Sequence, residues 1–194
     1  ARPQVEEALV LGQARADVVP GEVVLSHGRD LVVDGLVHAE PHVEAGVVVI
    51  LHRVYVGAQD ATRCDFDFLK SFVIEAEKNK VSRVRIADTV GFSSPSEIHK
   101  MIEGLVSVLS STVIEFHGHN DFGMATANAV SAIEAGAMAV SATVCGIGER
   151  AGNTALEEIA LWLVLKKPGS TSMKTEFLKK ICTKVSEASG IPIP

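Results

Sequence analysis

The chain has 194 residues, 47% hydrophobic but only 5% aromatic, with 24 acidic side chains against 18 basic ones. That is enough for one domain with a sizeable core, and the net charge of -6 argues against nucleic acid or an anionic membrane as the main partner. Cys64, Cys145 and Cys182 show no CxxC spacing, which predicts reduced thiols in the cytoplasm, and no apolar run reaches the roughly 18 residues of a membrane helix.

Residues 4–15 carry apolar positions at helical spacing, and 17–26 read as extended despite Pro20 and Gly21. A helix broken near Pro41 is expected over 29–45, then a strand of β-branched residues over 47–57. Asp65 is a candidate cap for a helix over 65–79. A strand at 81–90 follows, then a helix over 96–109 capped by Ser94 or Ser96. Next come a strand at 113–119, a helix at 122–136 ending on Gly136, and a strand at 139–145. The glycine-rich loop GIGERAGN leads into a helix over 154–166; 168–172 read as a linker and 174–189 as a last helix before a loose IPIP tail. The sequence opens on ARPQVEEALV, without Met and without signal-peptide regions, so a fragment or a processed chain is expected.

Strand centres at Val56, Ile86, Glu115 and Thr143 lie 30, 29 and 28 residues apart, with a helix in each interval. Such spacing predicts right-handed crossovers and a parallel sheet. Three successive strands alternate one apolar with one polar face. Val84 and Ile86 oppose Arg85, Ala87 and Thr89; Ile114 and Phe116 oppose Glu115, His117 and His119; Val140, Ala142 and Val144 oppose Ser141, Thr143 and Cys145. A doubly wound sheet wants apolar residues on both faces. A barrel has helices outside and tolerates a polar lumen at the active-site end. The expectation is therefore a (β/α)8 TIM barrel, incomplete, with about strands 4–8 present. Residues 1–168 would be its C-terminal portion, and 169–194 a linker with an additional helix.

His117 and His119, two apart on a strand, share one face and can hold one divalent cation. Asn120 and Asp121 add oxygens at the loop mouth. Nitrogen with oxygen ligands suits Zn, Mn, Fe or Co, and Mg where oxygens dominate. The GIGERAGN loop, Gly146 to Asn153, runs into a helix N-terminus where backbone amides suit a phosphate; the alternative is a tight turn with Asn153 as helix cap. In ADTVG, the Thr89 hydroxyl is placed to meet a substrate carboxylate beside Asp88, or else the two serve a turn and a salt bridge. His27, His38, His42, His52 and His99 have no partner spacing. The cysteines read as small apolar groups, with only Cys145 at a lumen-facing strand end. Glu157, Glu158, Lys166 and Lys167 read as a solvated helix face.

IADTVG, then FHGHND followed by GMATAN, then GIGERAGN with TALEE resemble the homocitrate synthase and 2-isopropylmalate synthase family, which includes hydroxymethylglutaryl-CoA lyase. The likeness covers roughly residues 54–165 and is strongest to the homocitrate synthase branch. GAQDATR, Gly57 to Arg63, is similar to the family's GAEDATR-type strand end. The resemblance implies a TIM-barrel enzyme that condenses acetyl-CoA with a 2-oxo acid and hydrolyses the thioester. It implies a divalent metal (Mg, Mn or Zn) on His117, His119 and Asn153, and Thr89 with Asp88 at the 2-oxo acid. It also implies catalytic positions at Gln59 and Arg63, acetyl-CoA along Gly146, Gly148, Glu149, Arg150 and Gly152, and a homodimer. Two departures stand out. No TLRDG-type first strand with its aspartate ligand is present, and Gln59 stands where the family usually has glutamate, so this chain alone is expected to be inactive or to need further residues to complete its barrel. Alternatives are a 2-isopropylmalate- or citrate-forming relative, a lyase or aldolase on the same scaffold, and a non-catalytic metal-binding fragment.

Overall fold

The computed structural model describes the backbone of residues 23–26 and the whole of residues 55–193. The helices expected at 4–15 and 29–45, and the strand residues before 55, lie outside the described residues. The described elements are β1 (Val23–Ser26), β2 (Tyr55–Ala58), α1 (Phe66–Lys78), β3 (Arg83–Asp88), α2 (Pro95–Val106), β4 (Val113–Gly118), α3 (Ala125–Glu134), β5 (Ala139–Ala142), α4 (Leu156–Lys166) and α5 (Leu178–Ser189). Short 3-10 turns stand at Ala61–Arg63, Val144–Gly146 and Thr175–Phe177.

Strands β2 to β5 pair in sequence order and all parallel. Sequential order without a reversal is the arc of a barrel, whereas a doubly wound sheet reverses at a switch point. The register fixes the faces. Val56 pairs with Val84, Val84 with Ile114, Ile86 with Phe116, and Phe116 with Val140. Val84, Ile86, Ile114, Phe116 and Val140 are buried in one cluster with Leu69 and Val73 of α1, Ile98, Ile102 and Leu105 of α2, Ala129 and Ala132 of α3, and Ile159 and Leu163 of α4. Spacings of three and four residues put each helix's apolar stripe on the sheet. The helices thus cover the apolar face, and the opposite face carries Arg83, Arg85, Glu115, His117 and Ser141 in register.

One strand departs from the expected order. A parallel barrel strand preceding the 47–57 segment would lie beside β2. The described part of 17–26, β1, instead pairs antiparallel with β5, Val23 opposite Ala142 and Ser26 opposite Ala139. There it engages the N–H and C=O groups that the edge of β5 would otherwise expose.

Local chemistry sets the helix ends. The Asp65 carboxylate accepts the Phe68 N–H at 2.9 Å, and the Glu97 carboxylate accepts both the N–H and the hydroxyl of Ser94 ahead of α2, as N-capping requires. Near the end of α1, Glu77 Oε1 accepts the backbone N–H groups of Ser110, Ser111 and Thr112 at 2.8, 2.7 and 3.0 Å. These bonds hold its carboxyl well below the usual range, at about 2. That grip sets where the chain enters β4.

Candidate functional site

At the C-terminal end of β4 the chain places His117 on the polar face, and His119 one step beyond the strand. Their Nε2 atoms stand 3.2 Å apart with the rings nearly perpendicular, at 87°. A cation bound by two imidazoles at about 2.1 Å and roughly tetrahedral or right-angle geometry separates its nitrogens by about 3.0–3.4 Å. The observed spacing falls in that range. Ser141 Oγ of β5 sits 3.0 Å from His117 Nδ1, a partner that orients the ring from behind. His119 is 8% exposed, and burial, then the neighbouring His117, push its pKa down; both favour the neutral form that ligates metal.

Asn153 joins this pair through the backbone, in an antiparallel bridge with His119. Its Oδ1 and His119 Nδ1 are buried without a hydrogen-bond partner. Orphaned buried polar atoms are uncommon, and an amide oxygen together with two imidazoles is a donor set that fits a divalent ion. Two glycines make the arrangement possible. A Cβ on Gly148 would stand 2.5 Å from Asn153 Oδ1. Gly152 has φ +96°, and a Cβ there would collide with the Gly146 carbonyl.

The other expected site residues have different surroundings. The Thr89 hydroxyl accepts the Asp60 N–H at 2.8 Å and donates to Gln59 Oε1 at 3.0 Å, so Gln59 and Thr89 meet at the ends of β2 and β3. Asp88 is fully buried on the helix-facing side. It accepts the Thr62 hydroxyl and the N–H groups of Phe92 and Ser93. This carboxylate orders the loop after β3 and does not face the site, contrary to the expected substrate contact. Arg63 forms an exposed two-point pair with Asp60, each raising the other's preference for the charged form.

The loop-mouth oxygens are engaged as well. Asn120 Oδ1 accepts the Ala125 N–H at the start of α3. Asp121 is clasped by Arg150 at 2.7 and 2.8 Å, and the same guanidinium donates to the Thr89 carbonyl at 2.7 Å. Arg150, expected at acetyl-CoA, therefore ties together the loops after β3, β4 and β5. Four of the amides expected to suit a phosphate are engaged within the fold. The N–H groups of Gly152, Asn153, Thr154 and Leu156 donate to the carbonyls of Glu149, Gly146, Gly118 and Thr143. Nor is Asn153 the helix cap, a position that falls to Ala155. Glu149 extends to the surface with 82% of its side chain exposed.

Two groupings were not anticipated. Lower on the polar face, Glu115 is buried between Arg83 at 2.8 Å and Arg85 at 2.5 Å, and Arg83 lies 4.6 Å over the Tyr55 ring. These residues, with Val56, Gly57 and Gln59, line a cavity of about 210 Å³. Period-two alternation already put Arg85 and Glu115 on one face; the pairing needed the register. The second grouping is Cys145, Glu157 and Cys182, whose candidate ligand atoms all lie within 4.8 Å of one another. Glu157, expected on a solvated face, is half-buried and turns its carboxylate to the Cys145 N–H.

Comparison with known proteins follows the same lines. Residues 32–187 match the family described as HMGL-like. The chain is 43% identical over 136 residues to a 2-isopropylmalate synthase of Sulfurisphaera tokodaii, covering 70% of this chain and 35% of that protein. It is 43% identical over 145 residues to the homocitrate synthase AksA of Methanopyrus kandleri, covering 74% of this chain and 36% of that protein. The chain therefore spans about a third of the length of these relatives. Among solved structures, the HMG-CoA lyase of Bacillus subtilis superposes with a TM-score of 0.63 at 22% identity, over 73% of this chain and 51% of that one; at this identity the likeness concerns the fold.

Proposed function

The chain belongs to the HMGL-like family, and from that premise we propose that it forms the metal-bearing part of an acetyl-CoA:2-oxo acid condensing enzyme. The observation that carries the reading is the pair of facing imidazole nitrogens 3.2 Å apart. His117, His119 and Asn153 would hold a divalent ion such as Mg, Mn or Zn. When bound, such an ion supplies Lewis-acid stabilisation of the negative charge that develops on a substrate carbonyl oxygen.

The chain's own residues supply the rest. Ser141 orients the His117 ring from Nδ1; with the ring proton on Nδ1 and directed at Ser141 Oγ, Nε2 presents its lone pair. The Thr89 hydroxyl now donates to Gln59; a 2-oxo acid carboxylate would take the place of that acceptor. The Gly146–Gly152 loop, with Gly148, Glu149 and Arg150, is assigned to acetyl-CoA. Gln59 is an amide and cannot accept a proton from acetyl-CoA as a carboxylate would. That observation favours one second reading, a metal-binding unit without condensing activity of its own.

Two measurements test this. Calorimetric titration with Mn(II) should show one site that His117→Ala and His119→Ala each remove; unchanged Mn(II) content in both variants refutes the ligand assignment. Release of free CoA from acetyl-CoA is then followed with 2-oxoglutarate and with 2-oxoisovalerate. Homocitrate-type activity requires the first substrate and isopropylmalate-type the second. Metal binding with no CoA release for either selects the second reading.

A further inference from the structure

We infer that Cys145, Glu157 and Cys182 form a second cation site, one for a thiophilic divalent ion such as Zn(II), which fastens α5 to the base of the loop that carries Asn153. It stands independently of the condensing reaction. Two thiols and a carboxylate converge from three separate elements: the 3-10 turn after β5, the first turn of α4, and the middle of α5. Their candidate ligand atoms lie within 4.8 Å of one another, although Cys182 is 37 residues from Cys145 in the chain.

The dimensions suit the ion. Two thiolates at about 2.3 Å from a tetrahedral Zn(II) lie roughly 3.8 Å apart, so the pair needs at most a contraction of about 1 Å. Both cysteines are nearly buried, at 8% and 7% exposed. The Cys145 sulfur makes one long contact, 3.9 Å, to the Cys182 carbonyl. Glu157 is already aimed at the centre, because its Oε2 accepts the Cys145 N–H at 3.0 Å. Soft sulfur ligands select Zn over Mg or Mn, so this site and the imidazole pair would discriminate between ions.

Burial pushes the Cys182 thiol up to about 12, so without an ion the sulfur stays protonated. Uptake of one cation forms two metal–thiolate bonds and one carboxylate bond, and it releases the two thiol protons to solvent. The fourth position is left to water.

Cobalt(II) is the probe, used with the reduced full chain carrying His117→Ala and His119→Ala, which silences the first site. The expected result is one bound ion with a strong thiolate-to-cobalt absorption in the near ultraviolet, lost in Cys145→Asn and in Cys182→Ser. Glu157→Gln should keep the absorption and weaken binding several-fold. Asn is chosen for position 145 because Cys145 has φ 58°, a conformation that Asn tolerates better than most residues. A second measurement avoids variants altogether: Zn(II) should protect Cys145 and Cys182, but not Cys64, from alkylation in the unaltered chain. No thiolate absorption, absorption surviving both cysteine changes, or equal alkylation with and without Zn(II) each overturns the site.

Discussion

At the scale of single residues, the candidate metal site depends on space as much as on donors. Gly148 leaves room for the Asn153 side chain, since its missing Cβ would come within 2.5 Å of Oδ1. Gly148→Ala should therefore displace that amide and raise the Mn(II) dissociation constant roughly tenfold, as disturbed ligand supports do, while titration still finds one Mn(II) bound. An unaltered constant would remove Asn153 from the ligand set. Glu115 makes a different demand. It is the buried anion between Arg83 and Arg85, and taking one member out of such a group costs about 3–5 kcal/mol. Glu115→Gln should show this in urea unfolding. The histidine pair was legible from the letters, because period-two alternation needs no structure. The same alternation puts Asp88 on the helix-facing side with Val84 and Ile86; what the letters do not give is its partners there, Thr62, Phe92 and Ser93.

Elements explain why the strands arrive where the site needs them. Glu77 near the end of α1 collects three amides ahead of β4, and so fixes the strand that ends in the two histidines. Its carboxyl titrates at about 2 when folded, against 4.5 for the ordinary value. A depressed folded pKa means the stabilisation is complete above about pH 4.5 and is lost as pH falls towards 2. The gap in urea midpoint between the parent chain and Glu77→Gln should be widest near neutrality and close over that window; a gap constant with pH would show that charge is not the cause. Helix and strand existence followed from the pattern throughout 55–189, and boundaries moved by at most four residues. The ends moved because single side chains set them, Asp65 and the Glu97–Ser94 pair among them. The loop before α4 illustrates a related point. Glycine content announces a turn but not which of its amides are engaged, and here those of Asn153, Thr154 and Leu156 bond to Gly146, Gly118 and Thr143.

For the molecule as a whole, four parallel strands in sequential order with helices on one face make an arc of a barrel. That much could be read from the 28- to 30-residue repeat and the alternating faces. The antiparallel attachment of β1 could not, because edge pairing answers to whichever groups are left open, and spacing carries no record of it. Among the described residues no helix is long and apolar enough to cross a membrane. The C-terminal helix, expected as an appendage after a linker, packs on the 3-10 turn after β5 and buries Cys182 against Cys145. Deleting residues 169–194 should lower stability by about 1–2 kcal/mol, a fall in Tm of roughly 2–8 °C. It should also turn Cys145 from a slowly to a rapidly reacting thiol. An unreactive Cys145 in the shortened chain would show that other parts of the fold shield it.

The backbone bridge between His119 and Asn153 makes the imidazole and the amide two jaws of one caliper, their gap set by main-chain pairing and not by side-chain reach. Heat that frays this joint would spread both jaws at the same moment, so grip on the ion should vanish over a narrow temperature interval instead of fading donor by donor.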